Sequence, residues 1–450
     1  MPVHFRTFNF KKTTMKKIIF FIAFIIFSQL AIAQLGNLLE RAKQKTKNRL
    51  NQKIDQKIDN TIDKTIDGTQ DKVKATGKTT DKGMNTTEEM RTGNGSTTVS
   101  LKSYSKFDFV PGEKIVAAED FSQDAIGDFP AKWNTNGSGE IVNTNKIKGK
   151  FLMTQKEVTF YPEWVKDLPD NFTLEFDLLC TDKFSFYSGF FVAGFNSSRN
   201  IGKDFRSFSH IGEGRVEKGG GFEVGFHPKN AGGQQGMTHF FSSYDQQEVV
   251  KNSADQNKLN VPAKTTTHVS IWRQKNRVRV YMDDKKVWDM PKALTDGLQL
   301  HSLYFRNDAA SNEEDAYYLG NIRLAVGAPD TRNKLITEGK FVTHGILFDI
   351  NSDQIKPESY GALKDIATVL SENEMVKVRI VGHTDSDGDD ASNLELSKKR
   401  AAAVKAFLSK EFHVDASRLS TDGKGETQPI EKNTSAEGKA NNRRVEFIKV

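Results

Sequence analysis

A strand, a tight loop and a helix follow one another between residues 376 and 408, and this order constrains the fold more than any other stretch of the chain. Apolar residues alternate with basic ones over residues 376–380, which is the period of a half-buried strand. Gly382-His383-Thr384-Asp385 then supplies a loop, and Ser392 with Glu395 matches the capping-box pattern of a helix start. The predicted inward face of that helix comprises Ala401, Val404, Phe407 and Leu408.

Asp385 in this loop and Arg400 on the helix would place opposite charges near each other. A carboxylate accepts hydrogen bonds from an ammonium, and the planar fork of arginine holds both oxygens of a carboxylate. Such a pair suits a zwitterionic amino acid. A structural ion pair that bridges loop and helix is the alternative from spacing alone.

Further motifs surround this pair in a fixed order. They are Phe348-Asp349 with Asn351-Ser352, then Gly388, Asn393, Leu396-Ser397 and Arg400-Ala401, then Gly423-x-Gly425-Glu426 with Pro429, and finally Asn442-Arg443-Arg444-Val445-Glu446. With them, residues 341–450 resemble the OmpA-like C-terminal domain, the peptidoglycan-binding module of bacterial envelope proteins. We predict this α+β domain over residues 335–450, in the order βαβαββ, with a strand at 346–349, a helix after Pro357 and a last strand at 445–449.

The resemblance implies which residues bind the diaminopimelate of a peptidoglycan stem peptide. Asp385 would hold the ammonium and Arg400 the carboxylate, while Thr384 and Asn393 would add hydrogen bonds. Arg443 is a weaker candidate, because it and Arg444 could equally brace the last strand. No catalytic residue, metal or cofactor is expected, since His383 has no second ligand at metal spacing and the acidic loop 385–390 lacks the spacing of an EF-hand.

The amino end predicts secretion. Lysines precede an apolar run at residues 18–26, and Ala31-Ile32-Ala33 offers small residues for cleavage before Gln34. We therefore predict a signal peptide at 1–33, with export across the inner membrane to the periplasm or cell outer membrane of a Gram-negative bacterium. A membrane anchor is the alternative, but Ser28 and Gln29 interrupt the run.

Charge and cysteine content exclude several classes of protein. The net charge is +7, and without residues 1–33, which carry five basic and no acidic residues, it is near +2. A nearly balanced chain gives no support for nucleic-acid binding. Cys180 is the single cysteine, so neither an intrachain disulfide nor a lipid-acceptor cysteine behind the signal is expected.

Two polar segments follow the signal. Residues 34–75 contain isoleucines at every fourth position from Ile54 to Ile66, which predicts a mostly solvated helix with weak coiled-coil self-association. A helix on the membrane surface is the alternative. Residues 76–103 are rich in Thr, Gly, Ser, Asn and Lys, and this composition predicts a flexible linker.

Residues 104–328 are predicted to form an all-β sandwich. Period-two alternation marks strands at 172–179 and 277–287, with further extended segments at 269–272 and 318–323. Glycine and asparagine clusters separate them, as in a sandwich. The order of these segments resembles concanavalin-like or laminin-G-like jelly rolls.

We interpret the sandwich as a non-catalytic module with a glycan or a protein as its candidate ligand. The alternative is a wall-anchored glycoside hydrolase, or a glycan-binding protein, that uses the β-sandwich. Jelly-roll glycanases place three alternating acids on one strand, but here Glu175 and Asp177 are followed by Leu179 or Cys180. The four tryptophans are expected mainly in the core; they are Trp133, Trp164, Trp272 and Trp288.

Overall fold

The computed structural model describes residues 107–202, 219–308, 310–327, 330–331 and 333–450. The predicted signal peptide, polar helix and linker lie outside these ranges, so all three remain predictions. The described residues belong to one compact unit. It consists of a β-rich part and a smaller carboxyl-terminal α/β domain.

The β-rich part contains two antiparallel sheets. Its strands in the described ranges are β1 Lys114–Glu119, β2 Trp133–Thr135, β3 Glu140–Asn143, β4 Lys150–Thr154, β5 Val158–Pro162, β6 Asn171–Cys180, β7 Phe191–Asn196, β8 Gly220–His227, β9 Gly236–Tyr244, β10 Gln247–Gln256, β11 Thr266–Gln274, β12 Arg277–Met282, β13 Lys285–Met290, β14 Ser302–Asn307 and β15 Tyr317–Val326. One sheet has the order β13-β12-β11-β6-β15-β4-β3, with β1 also paired to β15. The other has the order β10-β9-β8-β7-β14-β5-β2.

The sheets face each other across an aromatic core. Phe176 on β6 lies 6.2 Å from Phe226 on β8 and 5.5 Å from Phe305 on β14, measured between ring centroids. Burial of one such ring contributes about 1.5–3 kcal/mol to the free energy of folding. The expected β-rich region is confirmed, whereas the jelly-roll topology stays a prediction. Trp133, Trp272 and Trp288 are buried, and Trp164 is half-buried against the core.

The bounds predicted for one strand of the β-rich part are wrong. Residues 277–287 are not continuous, because a hairpin turn at Asp283-Asp284 separates β12 from β13. Asp283 has a φ of +49°, which aspartate tolerates better than most residues. Alternation continues through the turn, so periodicity alone did not reveal it.

The carboxyl-terminal domain has helices packed on a four-stranded sheet. Its elements are β16 Lys340–Thr343, α1 Tyr360–Glu372, β17 Val378–Gly382, α2 Asp390–Phe412, β18 Leu419–Gly423, α3 Ala436–Asn442 and β19 Val445–Lys449. The strand order is β16-β19-β17-β18, in which only the β17–β18 pair is parallel. Of the predicted inward residues of α2, Ala401, Val404 and Leu408 are buried and Phe407 is half-buried.

Three predictions for this domain are wrong. Residues 346–349 are not a strand; the first strand is β16, and Phe348 forms only an isolated bridge with Ile355. The N-cap of α2 is Asp389, whose carboxylate accepts from the Ser392 backbone N–H at 2.9 Å, so Ser392 lies inside the first turn. The order βαβαββ omitted α3, a helix too short to show periodicity.

The two parts dock along β1 and α3. The buried Asn441 side chain donates to the Ile115 carbonyl at 3.0 Å, and Arg323 donates to the His344 carbonyl at 3.2 Å. At Gly361 an added Cβ would lie 2.0 Å from the Phe109 carbonyl oxygen, so only glycine permits this contact. Among the helices described, none is long and apolar enough to span a membrane.

Candidate functional site

The loop after β17 is held by backbone contacts. The His383 N–H donates to the Arg444 carbonyl at 3.0 Å, and the Thr384 N–H donates to the Gly425 carbonyl at 2.9 Å. At Gly382 an added Cβ would lie 2.3 Å from the Ser397 carbonyl oxygen, so glycine lets the loop approach α2. The loop is therefore fixed before any ligand arrives.

Asp385 is buried in this loop and pairs with Arg443. One carboxylate oxygen accepts from the Arg443 guanidinium, and the other accepts from the Asp387 N–H at 3.2 Å. Asp385 and Arg400 form no salt bridge with each other in the described ranges. The loop-to-helix ion pair considered from spacing is therefore not the arrangement in this structure.

Arg400 lies on α2 with its guanidinium over the Phe348 ring, 4.9 Å from the centroid. Its Nε donates to the Ser352 carbonyl at 2.9 Å. Burial, and then the charge of Arg443, lower the pKa of Arg400, while Asp385 and Asp353 oppose this shift. Two guanidiniums that repel each other favour a bound anion between them.

Thr384 and Asn393 differ in whether their side chain still has a hydrogen-bonding group available for a ligand. The Asn393 amide donates to Glu426 at 2.6 Å and to the Asp387 carbonyl at 3.1 Å, so it braces the loop. The Thr384 hydroxyl is buried and has no hydrogen-bond partner in the part of the chain described.

Arg443 and Arg444, ambiguous in the sequence, are separated by the structure. Arg444 is buried and bonds to Glu446 on β19, so it braces the last strand. Burial by itself would raise the pKa of Glu446, but His383, Lys340 and Arg444 outweigh it and hold this pKa well below its usual range. Arg443, by contrast, forms a salt bridge with Asp385 in the loop after β17.

A cavity of about 310 Å³ adjoins this site, and both parts of the molecule line it. Arg400, Arg443 and His383 contribute from the carboxyl-terminal domain, whereas Glu119, Asp120 and Arg323 contribute from the sandwich. The sandwich residues carried no sequence signal, because their relevance depends on domain docking.

The alternating acids of β6 also line the cavity, but they are already bonded. Arg323 donates to both oxygens of Glu175 at 2.7 Å, and His268 bonds to Asp177 at 2.7 Å. Burial alone would raise the pKa of Glu175, but the charge of Arg323 and the hydrogen bond from His268 outweigh it and lower the pKa to about 2. A glycosidase acid needs the opposite shift.

The family model described as the OmpA family matches residues 347–443. Residues 347–443 are an OmpA family domain. The chain is 40% identical over 101 residues to outer membrane porin F of Pseudomonas aeruginosa, covering 22% of this chain and 29% of the relative. It is 42% identical over 100 residues to outer membrane protein A of Bordetella avium, covering 22% of this chain and 51% of the relative.

A solved structure aligns with about a quarter of the chain. The peptidoglycan-associated lipoprotein from Burkholderia pseudomallei is 24% identical, and the alignment covers 27% of this chain and 100% of that one, with a TM-score of 0.23. The chain spans less than two thirds of the length of either outer membrane relative. The match of the family model confirms the resemblance seen in the motifs for residues 347–443.

Proposed function

We propose that this protein is a non-catalytic envelope protein whose OmpA family domain binds peptidoglycan. Arg400 holds the carboxylate and Asp385 the ammonium of a diaminopimelate side chain in the stem peptide. Thr384 adds a hydrogen bond through its free hydroxyl, Asn393 holds the loop in place, and Arg443 shares the carboxylate.

The observation that carries this proposal is the placement of two arginines on one cavity beside a buried carboxylate. Arg400 and Arg443 both line the cavity, and Asp385 is bonded to Arg443. Hydrogen bonds from Arg400 to the protein use Nε and Nη2, which leaves Nη1 without a partner in the described ranges. The Arg443 side chain is 46% exposed, so it can shift when a carboxylate arrives.

Location follows from the same proposal. The predicted signal peptide directs the chain across the inner membrane, and the relatives named as outer membrane proteins support the periplasm or cell outer membrane of a Gram-negative bacterium. Peptidoglycan is the proposed partner, in association with the outer membrane. The glycoside hydrolase alternative is not favoured, because Glu175 is held ionised by Arg323.

Co-sedimentation of the full chain with purified sacculi tests the proposal. We expect Arg400→Ala and Asp385→Ala to weaken binding about tenfold or more, because each removes one partner of a charged contact. Arg400→Lys should also bind weakly, since lysine lacks the planar fork.

Arg379→Ala is the matched control, because Arg379 is exposed on β17 away from the cavity. It should pellet like the unaltered protein. Undiminished pelleting of both Arg400→Ala and Asp385→Ala would contradict the proposed ligand contacts.

A further inference from the structure

The sandwich forms one wall of the cavity at the OmpA family site. Glu119 is the last residue of β1, the strand against which α3 docks through the Asn441–Ile115 hydrogen bond. Glu119 and Asp120 line the cavity together with Arg400 and Arg443. Its volume of about 310 Å³ lies at the lower end of the range for small-ligand sites, about 300–1,000 Å³.

The two walls differ in the charge they leave uncompensated. On the OmpA side, the guanidiniums of Arg400 and Arg443 lie near one carboxylate, Asp385, which forms its salt bridge with Arg443. Lys356 and Glu358 line the same side of the cavity. On the sandwich side, the Glu119 carboxylate accepts from the Phe121 N–H and Asp120 accepts from the Ser122 N–H, both at 3.0 Å. Neither acid forms a salt bridge in the described ranges.

Burial and the neighbouring acids Asp124 and Asp120 raise the pKa of Glu119. By contrast, four other charged groups on the sandwich wall form pairs, Glu175 with Arg323 and Asp177 with His268. The exposed Lys148 also lines this wall. Within the described residues, neither Glu119 nor Asp120 is in salt-bridge contact with a cation, so each carboxylate can still accept hydrogen bonds from a bound ammonium.

Asp120 also interacts electrostatically with Lys439, which donates a hydrogen bond at 2.7 Å to Asp387 in the loop that carries Asp385. The hydrogen bond to Asp387 raises the pKa of Lys439, and the charges of Asp385 and Asp120 add to this effect. The ammonium of Lys439 therefore interacts with acids of both domains. Since an ammonium has three donors and both Asp385 oxygens already accept hydrogen bonds, Asp385 alone cannot satisfy a bound one.

Buried polar atoms on the OmpA side of the cavity point independently to a ligand. His383 is 3% exposed and lines the cavity, and its Nδ1 has no hydrogen-bond partner within the described residues. A buried oxygen of Glu358, another lining residue, is also unpartnered there. Unsatisfied buried polar atoms are costly, so a polar occupant would stabilise this cavity.

We propose that Glu119 and Asp120 of the sandwich complete the acceptor set for the ammonium of a wall peptide bound between the two domains. The sandwich is then half of the binding site. This inference rests on the proposed function, and it predicts selectivity for peptidoglycan with free amines.

The test uses the full chain with the double substitution Glu119→Gln, Asp120→Asn. Both changes keep an oxygen for the Phe121 and Ser122 N–H groups and remove only the charge. We expect about three- to tenfold weaker binding to untreated sacculi, as for loss of a hydrogen bond to a charged group. On sacculi whose free amines have been acetylated, the double variant and the unaltered protein should bind equally.

Glu157→Gln is the control, because Glu157 is an exposed sandwich acid outside the cavity. An unchanged melting temperature of the double variant would show that its fold is intact. If that variant pellets with untreated sacculi as well as the unaltered protein, the inference is wrong while the proposed function stands. If the Arg400→Ala and Asp385→Ala variants also pellet normally, the proposed function itself fails.

Discussion

Asp385 illustrates which parts of a site sequence reasoning reaches at the scale of the residue. The motif identified Asp385 and Arg400 because their spacing follows the loop and helix that carry them. It did not identify Arg443 as the partner of Asp385, because 58 residues separate the two and the end of α3 brings them together. Glu119 had no signal, since its place depends on another domain.

The half-buried His268 allows a prediction at the scale of the residue. Burial alone would lower its pKa, but hydrogen bonds to Asp177 and Glu175 outweigh burial and raise the pKa to about 10, from an ordinary value of 6.5. The folded state then binds the extra proton between these values, so its stabilising effect is complete below pH 6.5 and is lost as pH rises towards 10.

We expect the free energy of unfolding to fall by on the order of 2–3 kcal/mol between pH 6 and pH 9 because of His268. Chemical denaturation across this range should show a flatter profile for His268→Gln. Parallel profiles for the two proteins would contradict the assigned charge on His268.

Elements were predictable where a period persisted over several residues. Strand β6 was predicted at 172–179 and spans Asn171–Cys180, and β19 was predicted with its observed bounds. The strand predicted at residues 346–349 is absent. Ile346 and Phe348 alternate as they would in a strand, but Phe348 lies in a loop and packs beneath Arg400. Tertiary packing decides such short segments.

The cap of α2 can be tested directly. Asp389→Ala should lower the melting temperature by a few degrees, because the Ser392 N–H would lose its acceptor. Ser392→Ala should change it less, since the Ser392 side chain is not the N-cap. Equal or reversed effects, measured by thermal circular dichroism, would support the capping box expected from the sequence.

Docking of the two domains is a property of the whole molecule that periodicity does not encode. It depends on side chains far apart in sequence, such as Asn441 bonding to the Ile115 carbonyl. Buried hydrogen bonds of this kind make separation costly, because each leaves an unsatisfied polar group. We therefore expect the described domains to unfold together.

Gly361→Ala tests this coupling. An added Cβ would meet the Phe109 carbonyl at 2.0 Å and push α1 away from the segment that leads into the sandwich. Scanning calorimetry should show one transition for the unaltered protein and two for Gly361→Ala, whereas Lys364→Ala, at an exposed position of α1, should retain one. A single transition in both variants would show that this contact does not couple the domains.

The contacts between the sandwich and the carboxyl-terminal domain have a mechanical consequence. A force pulling the sandwich away from an attached cell wall would load the Asn441–Ile115 and Arg323–His344 hydrogen bonds in parallel with the covalent chain. The two domains would therefore move together under tension. The force at which they separate would be set by these hydrogen bonds, before the backbone between them is stretched.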